Sequence, residues 1–194
     1  MKIQERKMVL RGGIPILLKS AGPADAWSLW KHRFETSGET YYLACEQEEM
    51  EFFREAEEER LRAVEMDDRE FDVSAFADGV LIGSASVRYV RRHRKFLHRA
   101  HFGISIRKAY CGLGLGRKMI ETVLEQAGKN GFEQMELGVF SDNERAIHLY
   151  ESCGFQKTGV IPRAYKLKDG SYRDEIQMVC NLMGKDSGRS TSEN

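Results

Sequence analysis

The sequence lacks the features of a membrane protein, a secreted protein or a zinc protein. No apolar run approaches the length of a membrane-spanning helix, and the N-terminus lacks the apolar core of a signal peptide. The four cysteines, at positions 45, 111, 153 and 180, form no Cys-x-x-Cys pair. This wide spacing argues against a zinc site and fits reduced thiols. We therefore expect a cytoplasmic protein with no membrane partner and no bound metal.

The chain also lacks a net charge. Its 30 lysine and arginine residues balance 30 aspartate and glutamate residues, so nothing global demands a nucleic acid or a membrane as partner. A length of 194 residues suits one well-cored domain better than two. We expect that domain to cover residues 1–183. The serine-, glycine- and charge-rich residues 184–194 are expected to form a disordered tail.

What the sequence does contain is a strand, a glycine-rich turn and a helix between residues 102 and 127. Phe102, Ile104 and Ile106 alternate with smaller residues, which is the period of a strand. Glycines at 112, 114 and 116 follow, and an apolar stripe at helical spacing comes after them. A glycine turn at a helix start exposes backbone amides and the positive end of the helix dipole, which suits a phosphate. The spacing fits neither the dinucleotide fingerprint nor a Walker loop, and a turn that merely joins the two elements is the alternative.

Outside this stretch, alternation and apolar stripes predict six more strands and three more helices. The strands are predicted at 14–19, 71–77, 80–89, 134–139, 155–168 and 172–182, and the helices at 23–38, 46–69 and 144–154. Asp-Gly pairs at 78–79 and 169–170 predict tight hairpin turns. Ser141 and Glu144 predict a capping box for the last helix. The central strand, helix and following strand predict a right-handed parallel crossover.

Two charged stretches have both a functional and a plain interpretation. The glutamate-rich face of 46–69 would attract a cationic amine, but a solvated face with internal ion pairs is the favoured interpretation. Residues 88–99 carry six arginines and lysines and would contact RNA or an acidic partner. In a chain without net charge, a short basic loop is more often simply solvated. A nucleic-acid partner is therefore not expected.

A second motif lies about thirty residues after the glycine turn. Asn143 is followed three residues later by Ala146, four further by Tyr150, and then by Gly154-Phe155. Together with Gly114 and Gly116, this pattern resembles the two motifs of the GNAT acetyltransferase superfamily. Cys111 departs from it, since the family prefers Arg or Gln there. The resemblance implies a mixed α/β (α+β) fold with a mostly antiparallel sheet of about seven strands, one splayed parallel pair and about four helices.

The resemblance also implies acetyl-CoA as acyl donor, held by the glycine turn and the strand before it. The implied cofactor-binding residues are Ile104, Ser105, Ile106, Cys111, Gly112, Leu113, Gly114, Leu115, Gly116, Arg117, Lys118, Asn143 and Ala146. The backbone amide of Ile106 is the candidate donor to the oxyanion. Arg117 and Lys118 also fit ordinary surface cations, and Asn143 also fits a helix cap.

The catalytic groups follow from what an acetyl transfer requires. Tyr150 would protonate the leaving thiolate, unless its ring only packs. The family often has its base on the face of this strand that points toward the substrate, and by register from the glycine motif those positions read Ala100 and Phe102, which do not titrate. His98 and His101 are therefore the candidates for the base, with a water chain or a neutral incoming amine as alternatives. A cysteine nucleophile is discounted, because free cysteines are commonly buried and inert.

These residues predict an N-acetyltransferase in which a primary amine attacks acetyl-CoA directly within a ternary complex. The acceptor is a small-molecule amine or a protein amino group, and a homodimer is left open. The main alternative is a non-catalytic acyl-CoA-binding or sensor module with the same fold. A weaker alternative is an RNA-associated protein that uses residues 88–99.

Overall fold

The computed structural model describes residues 2–183, so the expected tail lies outside the described residues. One mixed sheet has the strand order β1-β2-β3-β4-β5-β6-β8-β7. The strands are β1 Arg6–Val9, β2 Pro15–Lys19, β3 Phe71–Ala77, β4 Val80–Tyr89, β5 Arg99–Ile106, β6 Gln134–Phe140, β7 Gln156–Lys166 and β8 Tyr172–Asn181. The helices are α1 Ala26–Glu39, α2 Arg54–Met66, α3 Leu115–Lys129 and α4 Glu144–Ser152. Among the strands of residues 2–183, only β5 and β6 pair in parallel.

The architecture agrees with the expected mixed fold and adds one strand to it. The eighth strand is β1, an edge strand that the sequence pattern did not predict. The hairpin between β3 and β4 turns at Asp78 and Gly79, whose φ angles are 46° and 77°. Such positive angles define the predicted Asp-Gly turn. Within residues 2–183 there is no helix long and apolar enough to cross a membrane.

The helices cover the two faces of the sheet. Helix α3 lies on one face, which we call the core face, and its apolar stripe is fully buried there as predicted. Helices α1 and α2 cover the other face, which we call the cavity face, through a smaller apolar cluster that includes Leu29, Leu61 and Phe76. Two layers of helices around one sheet therefore divide the molecule into a large core and a smaller, more polar side.

The predicted helix over 46–69 is too long. Helix α2 begins only at Arg54, because residues 46–53 form a single turn of 3-10 helix followed by extended backbone. Distant contacts hold this segment: Gln47 Nε2 donates to the carbonyl of Phe34 at 3.0 Å, and Lys168 Nζ lies 2.9 Å from the carboxylate of Glu48. The acidic side of α2 carries ion pairs within the helix, among them Arg62 with Glu58 at 3.0 Å, as the plain interpretation predicts.

The predicted capping box at the start of α4 is also wrong. The N-cap is Asn143, whose Oδ1 accepts a hydrogen bond from the amide of Ala146 at 3.2 Å. Ser141 instead donates its amide to the carbonyl of Asp174 at 2.9 Å, two residues before the cap. An asparagine satisfies the orphan amides of a helix start at least as well as a serine.

The sheet opens between β5 and β6. These strands pair only over residues 99–101 and 134–136, although β5 continues to Ile106 and β6 to Phe140. Residues 102–106 therefore border an open space, which we call the gap. The gap ends at the glycine turn, so that the strand edge and the start of α3 form one continuous surface.

Candidate active site

The turn between β5 and α3 presents six backbone amides without a partner. Among residues 2–183, none of the amides of residues 112–117 donates a hydrogen bond to a protein acceptor. Gly114 is the N-cap of α3 with a φ of 91°, and a Cβ placed there would meet no atom within 4 Å. The carbonyl of Leu113 accepts a hydrogen bond from the amide of Arg11 at 3.1 Å, which holds the turn in place. Free amides, open space and the positive helix end together make an anion-binding cradle.

A cation that the sequence interpretation missed lies beside this cradle. Arg145, in the first turn of α4, places Nη2 3.2 Å from the position of a Cβ on Gly112, and within the described residues its guanidinium makes no hydrogen bond or ion pair. Arg117, by contrast, is engaged, with Nη2 donating to the hydroxyl of Ser152 at 2.7 Å. Lys118 is half-buried, and its ammonium is likewise unengaged across residues 2–183. The structure thus favours Arg145 and Lys118 over Arg117 as phosphate contacts.

The edge of β5 offers further amides to the gap. Arg107 donates its amide to the carbonyl of Ile82 on β4 at 3.0 Å. Because amide direction alternates along a strand, the amides of Ile104 and Ile106 point away from β4 and into the gap. The amide of Ser105 points toward β4, so this residue offers the gap no donor. Two of the three predicted edge residues therefore have the orientation that binding of an extended chain requires.

Tyr150 of α4 lies against the start of the gap. Its ring is 6.3 Å from that of Phe102 and 5.8 Å from that of Phe155, so it does pack on the core face. Its hydroxyl has no hydrogen-bond partner within residues 2–183. Burial, and to a smaller extent the neighbouring Cys153, raise the pKa of Tyr150 to about 12. The phenol is therefore protonated at any physiological pH and is available as a donor.

The remaining cofactor candidates have structural partners of their own. The Oδ1 of Asn143 caps α4, so that only its amide nitrogen is left for a ligand. Ala146 is half-buried beside the core. Burial raises the pKa of the half-buried Cys111 thiol, which keeps it protonated and is unfavourable for a nucleophile. Across the part of the chain that the structure describes, no three His, Cys, Asp or Glu side chains cluster as metal ligands would.

The two candidate histidines occupy different places. His98 lies in the turn before β5, where its carbonyl accepts the amides of Glu133 and Gln134. This is the end of the strand farthest from the glycine turn. His101 is exposed on β5 in the last residue pair before the gap. The structure thus separates His98 from the glycine turn and leaves His101 at the start of the gap.

The substrate-facing positions predicted on β5 were wrong. Ala100 and Phe102 are 0% and 2% exposed in the core, so the even-numbered side chains of this strand face α3 and α4. The odd-numbered residues His101, Gly103 and Ser105 share the cavity face, because side chains alternate along a strand. His101 is therefore the candidate base on the side where an acceptor has room.

A cavity of about 420 Å³ lies on this face, between the sheet and helices α1 and α2. We call it the acceptor cavity. Its volume is within the range of about 300–1,000 Å³ that is typical of small-molecule sites. Its polar floor comes from β3, β4 and β5, and its walls come from α1, α2 and the segment after α1. The lining residues are Leu29, Arg33, Thr36, Ser37, Leu43, Ala44, Cys45, Met50, Arg60, Asp72, Ser84, Ser86, Arg88, Gly103, Ile104 and Ser105.

A buried histidine that the sequence interpretation missed supports the floor of this cavity. His32 of α1 is 0% exposed, and its Nε2 lies 2.9 Å from the hydroxyl of Ser105. Desolvation, followed by the charge of Arg107, lowers the pKa of His32 to about 4, so the ring is neutral near pH 7. In sequence, a histidine on the inner side of an amphipathic helix carries no signal that distinguishes it from a core residue.

A network of ion pairs lies at the edge of the acceptor cavity. Arg33 pairs with Glu57 at 2.8 Å, and Arg60 lies between Glu57, at 2.8 Å, and Asp72, at 3.6 Å. Arg88 donates to the other oxygen of Asp72 at 2.6 Å. The network combines three guanidinium groups with two carboxylates on the edge of the acceptor cavity.

The basic stretch 88–99 uses much of its charge within the protein. Arg88 binds Asp72, Arg92 contacts Asp67 at 2.7 Å, and Arg99 pairs with Glu136. These ion pairs fit a solvated, internally compensated loop better than an RNA-binding surface.

Comparison with known proteins gives one consistent result. Residues 27–155 match the model of the Acetyltransferase (GNAT) family. The chain is 35% identical over 95 residues to the N-alpha-acetyltransferase RimI of Mycobacterium tuberculosis, which covers 49% of this chain and 58% of that protein. It is 31% identical over 86 residues to the L-amino acid N-acyltransferase MnaT of Escherichia coli, which covers 44% and 50%. The chain thus spans only about half the length of these curated relatives.

Solved structures extend the similarity to nearly the whole fold. A GNAT-family acetyltransferase from Streptococcus pneumoniae superimposes with a TM-score of 0.82 at 26% identity, covering 86% of this chain and 99% of that one. The yncA protein of Salmonella typhimurium, solved with acetyl-CoA, has a TM-score of 0.76 at 21% identity and covers 91% and 99%. This second likeness shows the shared fold alone.

Proposed function

Because this chain belongs to the GNAT acetyltransferase family, we propose that it transfers an acetyl group from acetyl-CoA to a primary amine by direct attack in a ternary complex. The observation that carries the proposal is the row of six unpartnered amides at residues 112–117, which continues into the open edge of β5. A diphosphate fits the first part and an amide-rich arm fits the second. The cysteine spacing favours a cytoplasmic location for this activity.

Binding of acetyl-CoA would use backbone groups more than side chains. The amides of residues 112–117 would hold the diphosphate at the positive end of α3, with Arg145 and Lys118 adding charge. The amide of Ile106 would pair with the arm as a neighbouring strand would, and the amide of Ile104 lies further along the gap. This order directs the thioester along the gap toward Phe102 and Tyr150.

The chemistry then needs one donor for the developing oxyanion and control of two protons. We assign the oxyanion donor to the amide of Ile104 and not to the predicted amide of Ile106, because the arm already uses Ile106 and the thioester lies further along the gap. The amine nitrogen forms its bond to the acyl carbon as the carbon–sulfur bond breaks, and the thiolate takes the proton of the Tyr150 hydroxyl. The nitrogen loses its proton to His101, directly or through a chain of waters. No covalent enzyme intermediate is required, which agrees with the raised pKa of the Cys111 thiol.

The acceptor is a primary amine on a small molecule or on a protein. Among the relatives, MnaT is named for L-amino acids and another for the alanine of ribosomal protein bS18. Both names describe amino groups beside a carbonyl carbon, which supports an acceptor of this kind for the present chain.

A non-catalytic acyl-CoA-binding module is the second candidate. It is favoured by one observation, which is that the exposed side chain of His101, the candidate base, has no hydrogen-bond partner within residues 2–183 to orient it. Such a module would bind CoA through the same amides and would release no thiol with any amine.

One experiment separates the two candidates. Thiol release from acetyl-CoA is followed with a panel of amino acids, polyamines and peptide N-termini, while CoA affinity is measured by calorimetry. Turnover with any amine supports the enzyme, and tight CoA binding without turnover supports the module. Loss of both would contradict the proposed use of the cradle.

The cradle itself is tested by Gly114→Val. A branched side chain there would fill the space in which no atom lies within 4 Å, so CoA binding should be abolished. Gly79→Val is the matched control, because Gly79 has a similar φ of 77° and equally open surroundings in a distant hairpin. Unaltered CoA titration in a folded Gly114→Val protein would disprove the proposed site.

A further inference from the structure

We propose that the acceptor is an amine that also carries a carboxylate, and that the acceptor cavity binds its amine at Ser105 and its carboxylate at Arg33. The inference rests on the proposed function, because it names the second substrate of the same reaction. Three observations on the cavity carry it: the free donors of Arg33, the free lone pair of the Ser105 hydroxyl and the apolar walls.

Arg33 is the arginine of the ion-pair network with the most N–H donors that have no protein acceptor within residues 2–183. Its single partner is Glu57, which contacts Nη2, and four of its five N–H donors therefore have no protein acceptor within residues 2–183. Arg60 donates from Nε and Nη2 to Glu57 and contacts Asp72 through Nη1. Arg88 donates to Asp72 and to two backbone carbonyls. A carboxylate in the cavity would thus bind to Arg33 without displacing an existing partner.

The hydroxyl of Ser105 can accept a hydrogen bond from the amine. Its hydroxyl faces the cavity and is held by the Nε2 of His32 at 2.9 Å. Whichever of the two donates, the oxygen of Ser105 keeps a lone pair for an N–H of the acceptor. Its neighbours Ile104 and Ile106 direct their amides into the gap, so an amine at Ser105 lies beside the path of the thioester.

Arg33 and Ser105 both line the acceptor cavity, so one molecule in this cavity has both side chains on its walls. Helix α1 links the two positions, because Arg33 follows His32 and His32 contacts Ser105. Leu29, Leu43 and Met50 provide an apolar wall between and around them, which suits an uncharged, apolar side chain.

The test compares acceptors that differ only in the carboxylate. L-methionine, L-methioninamide and 3-(methylsulfanyl)propan-1-amine are compared as acceptors by their kcat/KM in the thiol-release assay. A hydrogen bond between charged groups predicts a preference of about 10- to 100-fold for the acid over both analogues. In Arg33→Gln this preference should shrink toward unity through a rise in KM for the acid. Arg62→Gln, an exposed arginine on α2 paired with Glu58, should retain it.

A binding measurement separates this inference from the proposed function. Calorimetry of the CoA-loaded protein with N-acetyl-L-methionine and with N-acetyl-L-methioninamide needs no turnover. Arg33-dependent binding of the acid alone supports the inference even if no amine releases thiol. Equal use of the acid and its analogues, a preference for polyamines or peptide N-termini, or an unchanged preference in Arg33→Gln would overturn the inference while leaving the acetyltransferase proposal intact. Failure of both acetylated compounds to bind would also overturn it.

Discussion

Replacing Tyr150 by phenylalanine isolates one atom of the proposed mechanism. The substitution keeps the ring that packs against Phe102 and Phe155 at centroid distances of 6.3 and 5.8 Å. It removes a hydroxyl that has no protein partner in the described part of the chain. Because no hydrogen bond is lost, we expect the free energy of unfolding to change by less than about 0.5 kcal/mol. In a protein of this size that is a shift in Tm of at most about 2 °C.

The effect on catalysis should be much larger. A positioned general acid contributes about 10²- to 10⁴-fold to turnover, so kcat should fall by about that factor in Tyr150→Phe. The affinity for CoA should stay within about twofold, since the diphosphate cradle and the β5 edge are untouched. Single-turnover thiol release measures the first quantity and calorimetry the second.

The pH dependence of the same variant gives a further check. Burial raises the pKa of Tyr150 to about 12, so the phenol stays protonated throughout the range below about pH 10. Any change of rate between pH 6 and 10 must then come from another group, and Tyr150→Phe should keep the shape of the wild-type profile at a lower level. An unchanged kcat would remove Tyr150 as the acid. A tenfold loss of CoA affinity would instead assign it to binding.

Three other substitutions test separate parts of the structure. Arg145→Gln should weaken CoA binding about fivefold, as expected for one partly exposed charge near a phosphate, whereas Arg62→Gln should leave it unchanged in the same titration. Gly128→Ala should raise the free energy of unfolding by about 0.5–1 kcal/mol, because a Cβ at this position inside α3 meets no atom within 4 Å, and a lower denaturation midpoint would contradict the described helix. For His32, whose folded-state pKa is about 4 against about 6.5 unfolded, the unfolded chain binds the proton first as the pH falls. Lowering the pH from 7 to 5 should therefore reduce the free energy of unfolding by about 2 kcal/mol through His32. Urea titrations of His32→Gln at the two pH values should lack this part of the decrease.

The elements that the sequence predicted best are those whose signals are local. The Asp-Gly pair at 78–79 defines its turn with two residues of positive φ, and the stripe of α3 defines a buried face without outside help. The glycine turn belongs to the same group, because its free amides follow from helix geometry alone. For this reason the fold and the open amides of the glycine turn could largely be predicted from the chain.

The features that were missed depend on residues far apart in sequence. His32 reaches Ser105 across 73 positions, and Lys168 binds Glu48 across 120. The contacts of Glu48 and Gln47 keep residues 46–53 out of α2, although their composition favours a helix. No periodicity reveals such pairs, and the acceptor cavity is built almost entirely from them. The side of β5 that faces the acceptor was inferred wrongly for the same reason, since only the packed helices decide it.

The short pairing between β5 and β6 has a mechanical consequence. Three residue pairs join a five-stranded half of the sheet to a three-stranded half, and every other ladder of the sheet lies within one half. A small rotation about this junction would alter the width of the gap without breaking hydrogen bonds between the other strands. A long molecule bound in the gap would contact both halves of the sheet. Substrate binding should therefore restrict their motion relative to each other.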